Sequence, residues 1–394
     1  MKLFFLAILA CSVFCATWLA GCAGESPAGN TYAIVFATGS QGEVLWRTIV
    51  ESGSDIEPRS IFPAGDGGFI LLATQGESYR GVANRPFMAR LSRDGEILWS
   101  RTFDPGWGSP TSGIELPNDT LAVFSSLGKA MVLDADGDIV ALYANDGVVE
   151  TILPADEGGY IVAGTWGSYA WIAHLNGSLT VSWDRTLTSP EPGSRPWRVH
   201  SATTLTRLGG GKYCVLGTSE SVPTDEWGHF EVKRWIAVFG PDGTLSWNRI
   251  PRFGTDEFFT WTVQPGMAPG GGPVILAMKQ PAGNGSVDRT APMLLISLDP
   301  EGNCVTKWPV GISHPVYTAQ NQEYFSAVWE LKQQCREPDL AKECMDFRLI
   351  KYDTDGEELW SRVADSEVAA LPITRVLSTP GGGCVVVLEG QRVR

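Results

Sequence analysis

Two hydrophobic patterns alternate along this chain. One is an unbroken apolar run behind a glycine-rich turn: "DGGFILLA" (66–73), "EGGYIVAG" (157–164), "GGGKYCVLG" (209–217), "GGGPVILA" (270–277) and "GGGCVVVL" (381–388), with weaker copies "PNDTLAVF" (117–124) and "NQEYFSAV" (321–328). The other is a pair of shorter runs hinged on a turn containing Gly, the second run usually carrying Trp, as in "LSRDGEILWSRTF" (91–103). Its turn glycines are Gly42, Gly95, Gly137, Gly177, Gly243, Gly302 and Gly356. Its tryptophans are Trp46, Trp99, Trp183, Trp247, Trp308 and Trp360, and the copy "DIVALY" has lost its own. From Gly42 to Gly356 is 314 residues over six intervals, about 52 per repeat, within the range of propeller-type repeats.

Each unit reads as four strands. A short strand A ends at the glycine-rich turn, an apolar strand B follows, and a hairpin of strands C and D closes the unit. Strands B are apolar on both faces, which suits sheets covered by neighbours on each side. Asp-Gly between apolar runs predicts tight hairpins with positive φ at both turn residues. With no helical periodicity of any length, the pattern predicts an all-β chain: a seven-bladed β-propeller of four-stranded blades over residues 31–394. The chain opens on a C–D hairpin and closes on an A–B pair, so one composite N-/C-terminal blade should close the ring.

The pattern GG-Y-I-V-A-G followed by L-x-D-x-D-G-x-x-L-W-x-R resembles the propeller repeats of exported bacterial and archaeal proteins, near the quinoprotein-like and WD40-like groups. The resemblance covers essentially all of residues 31–394. It implies a fold and no chemistry, because propellers host unrelated functions.

Residues 1–21 read as a signal peptide: Met1-Lys2, then an apolar stretch closing on Leu19-Ala20-Gly21-Cys22. That ending resembles the lipobox of bacterial lipoproteins, which implies cleavage before Cys22 and lipidation of Cys22. Ala23 resembles the outer-membrane sorting default of Gram-negative cells. Residues 22–30 then form a flexible Gly-, Pro- and Ser-containing tether. The expected location is the cell envelope, lipid-anchored, at the outer membrane if the host is Gram-negative. The formal net charge of −14 and the lack of a Lys/Arg-rich run exclude nucleic acid as the expected partner and favour a soluble monomer.

Chemistry is sparse. No nucleophile elbow, zinc-protease motif, Walker loop or dinucleotide fingerprint occurs, so no cofactor and no catalytic residue is expected. His174, His200, His229 and His314 are scattered singly. Cys335 and Cys344 share one polar segment and suit a disulfide in an exported protein. Cys214 and Cys384 sit in apolar runs and read as buried small hydrophobes, while Cys304 stays unassigned. Asp134, Asp136 and Asp138 look like the start of a calcium loop, although the same Asp-Gly serves the turn; no metal is expected, with calcium there as the alternative. The Arg two residues after a Trp (Arg101, Arg185, Arg249, Arg362) shares its face and reads as a part that stacks on the ring or ties blades together.

Loop lengths direct attention to one rim. The A–B and C–D turns are short, whereas the B–C and D–A connections vary and meet on the opposite rim. These carry Trp107, Trp166, Tyr169, Trp197, Trp227, Phe258, Phe259 and Trp261 among Glu191, Asp225, Glu226, Asp256 and Glu257. The expected ligand-binding set is Trp107, Trp166, Trp197, Glu226, Trp227, His229, Asp256 and Trp261, since exposed aromatics beside carboxylates suit recognition of proteins or sugars. The alternative is that the loops bury their own aromatics. The expected function is a binding or scaffold lipoprotein for an envelope protein or polysaccharide. A propeller enzyme acting on glycans through Glu226 and Asp256, or a quinoprotein-type oxidoreductase, is the other reading.

Overall fold

The computed structural model describes residues 31–391 apart from 77–83, 145–146, 188–196, 222–231, 251, 254–255, 261–265, 268–270, 280–292, 311–315, 319–323, 332–344, 354–356 and 366–372. Seven antiparallel sheets form the chain. Blade 1 holds strands A Ile56–Pro63, B Phe69–Gln75, C Arg85–Leu91 and D Ile97–Thr102, and blade 2 holds A Pro110–Leu116, B Thr120–Ser125, C Lys129–Leu133 and D Ile139–Ala144. Blade 3 runs from Gly147–Pro154 to Val181–Leu187, blade 4 from Trp197–Arg207 to Leu245–Arg249, and blade 6 from Val316–Thr318 to Glu358–Asp365. Strands A of neighbouring blades approach one another, which sets them innermost and closes a seven-bladed propeller.

Blade 7 is the composite. Its order is Val44–Val50, Thr31–Thr38, Cys384–Gln391, Ile373–Ser378, so the first strand of the propeller pairs with the last from Thr31↔Gln391 to Ala37↔Val385. Blade 5 departs from four strands. Its strand A is split into Asp256–Thr260 and Gly266–Met267, both pairing Pro273–Lys279, and Arg252–Phe253 adds a further short strand.

The core lies between blades. Strands B are buried throughout, as in Ile70, Leu71, Leu72 and Ala73, and their side chains divide between two interfaces: Leu71 joins the cluster with Val35 and Val387, while Leu72 joins the one with Met131 and Leu133. Strands D are half exposed. Cys214 and Cys384 are fully buried, as small hydrophobes would be; burial pushes the Cys384 thiol up to about 12 and raises that of Cys214 as well.

The repeated Trp fastens one blade to the next. The indole N–H of Trp46 donates to Arg93 O (2.9 Å), Trp99 to Ala135 O (2.8 Å), Trp247 to Pro300 O (2.7 Å) and Trp360 to Ser40 O (2.8 Å), each acceptor lying in the C–D turn of the following blade. The turn glycine two residues on lies against the indole: a Cβ at Gly137, Gly243 or Gly302 would meet the ring of Trp99, Trp183 or Trp247 at 2.6–3.1 Å. That glycine also has φ between 76° and 85°. Arg185 and Arg249 stack over Trp183 and Trp247 at 5.9 and 5.7 Å, and Arg101 reaches Asp136 O and Asp138 of the next turn. Trp and Arg here are ring-building parts.

Three details of the repeat differ from the sequence pattern. The hairpin turns are three-residue loops: Gly95 N–H donates to Ser92 O and Ser92 N–H to Glu96 O, and Gly95 has positive φ while Asp94 does not. A type I turn followed by one left-handed residue explains this, so the two-residue turn with paired positive φ is not what forms. In blade 3 the left-handed residue is Leu179 (φ 59°), not Gly177, because Leu179 N–H closes the turn onto Asn176 O. In blade 5 the register position equivalent to Trp99 is Thr306, paired with Ser297; Trp308 pairs with Leu295, two residues further along the strand.

Candidate functional site

The rim bearing the B–C connections holds an exposed aromatic pair at the tip of blade 3. Strand B (Tyr160–Trp166) and strand C (Tyr169–Leu175) join through Gly167-Ser168, and Trp166 and Tyr169 face each other across the ladder. Gly167 takes φ +60°, and the tightness of the two-residue loop forces both rings to the tip. Trp166 is 42% exposed and Tyr169 51%.

The tip is held from the neighbouring blade. Ser168 O accepts from His200 N–H (2.9 Å), and His200 lies buried in strand A of blade 4. Its Nδ1 is 2.7 Å from Ser219 Oγ, which also accepts from the Trp235 indole (3.0 Å). Burial lowers the His200 pKa and so favours the neutral ring. The ring held on the Ser219 hydroxyl and the backbone N–H held on the Ser168 carbonyl make His200 a positioning device. Ser219 is itself fully buried, so this Ser–His pair is not offered to a substrate. The eleven-residue strand Trp197–Arg207 places His200 inside the sheet.

The other expected binding residues fall in different places. Trp197 starts that same long strand, paired to Ser221, which sets its backbone on the rim near the Trp166 tip and in a strand, not a loop. Trp107 is a correction: it is 8% exposed, ends the 3-10 turn Pro105–Trp107 and packs with Phe62, Leu72 and Phe103. The Asp104 carboxylate caps that turn by accepting from Gly106 N–H (2.7 Å), folding the indole inward. Asp256 opens the strand Asp256–Thr260, so this part of the D–A connection is sheet. Glu226, Trp227, His229 and Trp261 lie outside the described residues, as do Cys22, Cys335 and Cys344.

Asp134 works in its turn. Its Oδ1 accepts from Asp136 N–H (3.0 Å) and Asp138 N–H (2.9 Å), as the Ser92 hydroxyl and the Asn176 amide oxygen do in blades 1 and 3. Neutral residues do the same job at equivalent positions, and Asp138 is shared with Arg101 (3.6 Å). Among the described residues, no group of three or more His, Cys, Asp or Glu side chains gathers as a metal site would require.

Carboxylates collect at the inner end of the same rim between blades 7 and 1. Asp55 accepts from Thr31 N–H (2.6 Å), and Glu57 pairs with Arg59 (2.9 Å). Burial, reinforced by the Glu57 and Asp55 charges and opposed by Arg59, pushes Glu389 up to about 7. Glu150, the bulged residue between Val149 and Thr151 on strand A of blade 3, is also raised by burial. Arg59 occupies the equivalent bulge of blade 1.

No protein-family model matches the chain, and no curated protein does. Several solved structures are similar in shape. A protein of unknown function from Bacteroides caccae is 14% identical, covering 84% of this chain and 93% of its own, at a TM-score of 0.39. The Dos1 propeller is 12% identical, covering 85% and 95%, at 0.45. BamB from Moraxella catarrhalis is 13% identical, covering 93% and 92%, at 0.42. The propeller itself rests on the strand pairing described above.

Proposed function

We propose that this chain is a binding propeller of the cell envelope, anchored by lipid on Cys22, whose long-loop rim recognises a partner protein or polysaccharide. The observation that carries the reading is the rigid aromatic tip: Trp166 and Tyr169 are exposed while their backbone is fixed by a buried network from blade 4. Aromatic rings held this way offer contact area at little entropic cost, the property of recognition surfaces.

The anchor would reinforce this. Strand C of blade 7 starts at Thr31 on the same rim, and a tether from Cys22 to Asn30 spans about 30 Å at most when extended. Lipid on Cys22 would therefore hold the aromatic rim towards the membrane, at the outer membrane if the host is Gram-negative.

The test is pull-down from envelope extract and from purified envelope polysaccharide, comparing the wild-type chain with Trp166→Ala/Tyr169→Ala. The double variant should fold normally and lose the captured set. Retention of the same set by both chains defeats the reading.

A further inference from the structure

One outer strand lacks the protection the others carry. Strand D of blade 2, "IVALYA", contains no charged side chain, and Ile139, Val140, Leu142 and Tyr143 are 46, 57, 60 and 46% exposed. Among the described residues it pairs only with strand C, and no other strand lies on its outer backbone edge. Elsewhere strand D reads "VLWRTIV", "ILWSRT", "VSWDRTL" or "LSWNR", with Arg and hydroxyl or carboxylate side chains along the edge. Charge on an edge strand is a standard means of preventing strand addition, and an exposed apolar edge invites it.

The same strand has lost its fastening. Ala141 stands where Trp99 stands in blade 1, and Tyr143 where Arg101 stands. The following turn has Leu179 in place of the glycine that an indole would cover. A methyl therefore occupies the slot held by Trp46, Trp99, Trp183, Trp247 and Trp360 in five other blades, and the apolar edge stays open.

We propose that strand D of blade 2 is a docking edge for an extended segment of another polypeptide, which adds to the sheet as a fifth strand. Backbone donors and acceptors along the edge require an extended chain. Ala141 and Tyr143 on one face and Ile139 and Leu142 on the other, with Val140 at the bulge between Ile139 and Ala141, call for apolar side chains opposite them. Charge selects the partner. The strand starts behind the exposed Asp136 and Asp138, and Asp146 follows it closely in sequence, so a strand with Lys or Arg at its ends is complementary. A second copy, itself at −14 and carrying the same exposed Asp136 and Asp138, is not.

The probe is the synthetic peptide Lys-Val-Thr-Val-Thr-Val-Lys, titrated into the full chain by fluorescence anisotropy, with hydrogen exchange of residues 139–144 followed in parallel. Saturable binding that slows exchange there is expected. Affinity should fall tenfold or more in Val140→Lys/Leu142→Lys and be lost when alternate peptide nitrogens are methylated on the wild-type protein. Trp166→Ala/Tyr169→Ala should leave it unchanged, which separates this edge from the rim. The proposal is overturned if the peptide does not bind, if the methylated peptide binds as well, or if the charged variant retains affinity. It is also overturned if sedimentation shows a dimer that Val140→Lys dissolves, which would make the occupant a second copy.

Discussion

Two neighbouring joints of the ring are built differently. Between blades 1 and 2, Trp99 lies on Gly137, donates to Ala135 O, and is flanked by Arg101 reaching the same turn. Between blades 2 and 3, Ala141 replaces the Trp and Leu179 the Gly, and Leu179 packs beside the apolar cluster of Phe124, Tyr160 and Val162. Indole and glycine are absent together, as they must be: the indole needs the bare Cα, and without an indole the turn has room for a side chain. The joint keeps its B-strand core and gives up its outer fastening. At this joint the strands nearer the axis carry the packing, and the outer hairpin is free to be specialised.

The largest effect should come from breaking a fastened joint at its glycine. Gly95→Val adds a Cβ into the Trp46 ring and strains a φ of 82°, and is expected to cost about 4 kcal/mol by urea unfolding. A cost under about 1 kcal/mol would mean that the indole contact is incidental.

The inner end of that same joint predicts a pH dependence. Glu389 holds its proton up to about 7 in the folded protein against an ordinary value of 4.5, so the folded state binds more protons and stability declines as pH rises from about 4.5 through 7. Glu389→Gln should remove that decline and make the protein more stable at pH 8 by up to about 3 kcal/mol. Thermal melts at pH 5 and pH 8 give the readout, and parallel shifts in both chains would refute it.

A smaller loss is expected from Trp99→Ala, about 2–3 kcal/mol, because the ring is only half buried. The smallest change sharpens the comparison most. Ala141→Trp with Leu179→Gly should rebuild the missing fastening and raise stability by about 1 kcal/mol, with each single change neutral or unfavourable. Strict additivity of the two would show that indole and glycine are not a unit.

The architecture was legible because burial imposes it on every unit. Strands B must be apolar on both faces, the turns need glycine, and the mismatch between chain ends announces the composite blade. What escaped was register. Trp308 lies two residues from its expected slot, and a shift of two preserves the face, so the hydrophobic pattern cannot detect it. Gly177 drew attention as a turn glycine although Leu179 takes the left-handed position, because several turn residues are compatible with Gly and backbone hydrogen bonds decide between them.

The candidate site was less legible. Trp166 was recognisable as an exposed rim aromatic, but Trp107 looks equivalent in sequence and is buried by a single capped turn. His200 carried no signal, since its role depends on Ser168 in a turn of blade 3 and Ser219 in a strand of blade 4.

The composite blade has a mechanical consequence. Thr31–Thr38 is paired on both sides, to Val44–Val50 and to Cys384–Gln391. A pull at Thr31 along the strand would load both rows of backbone hydrogen bonds in shear, all at once, and would not peel them one by one. Closing the ring with its first and last strands thus sets Thr31 where the sheet would resist such a pull best.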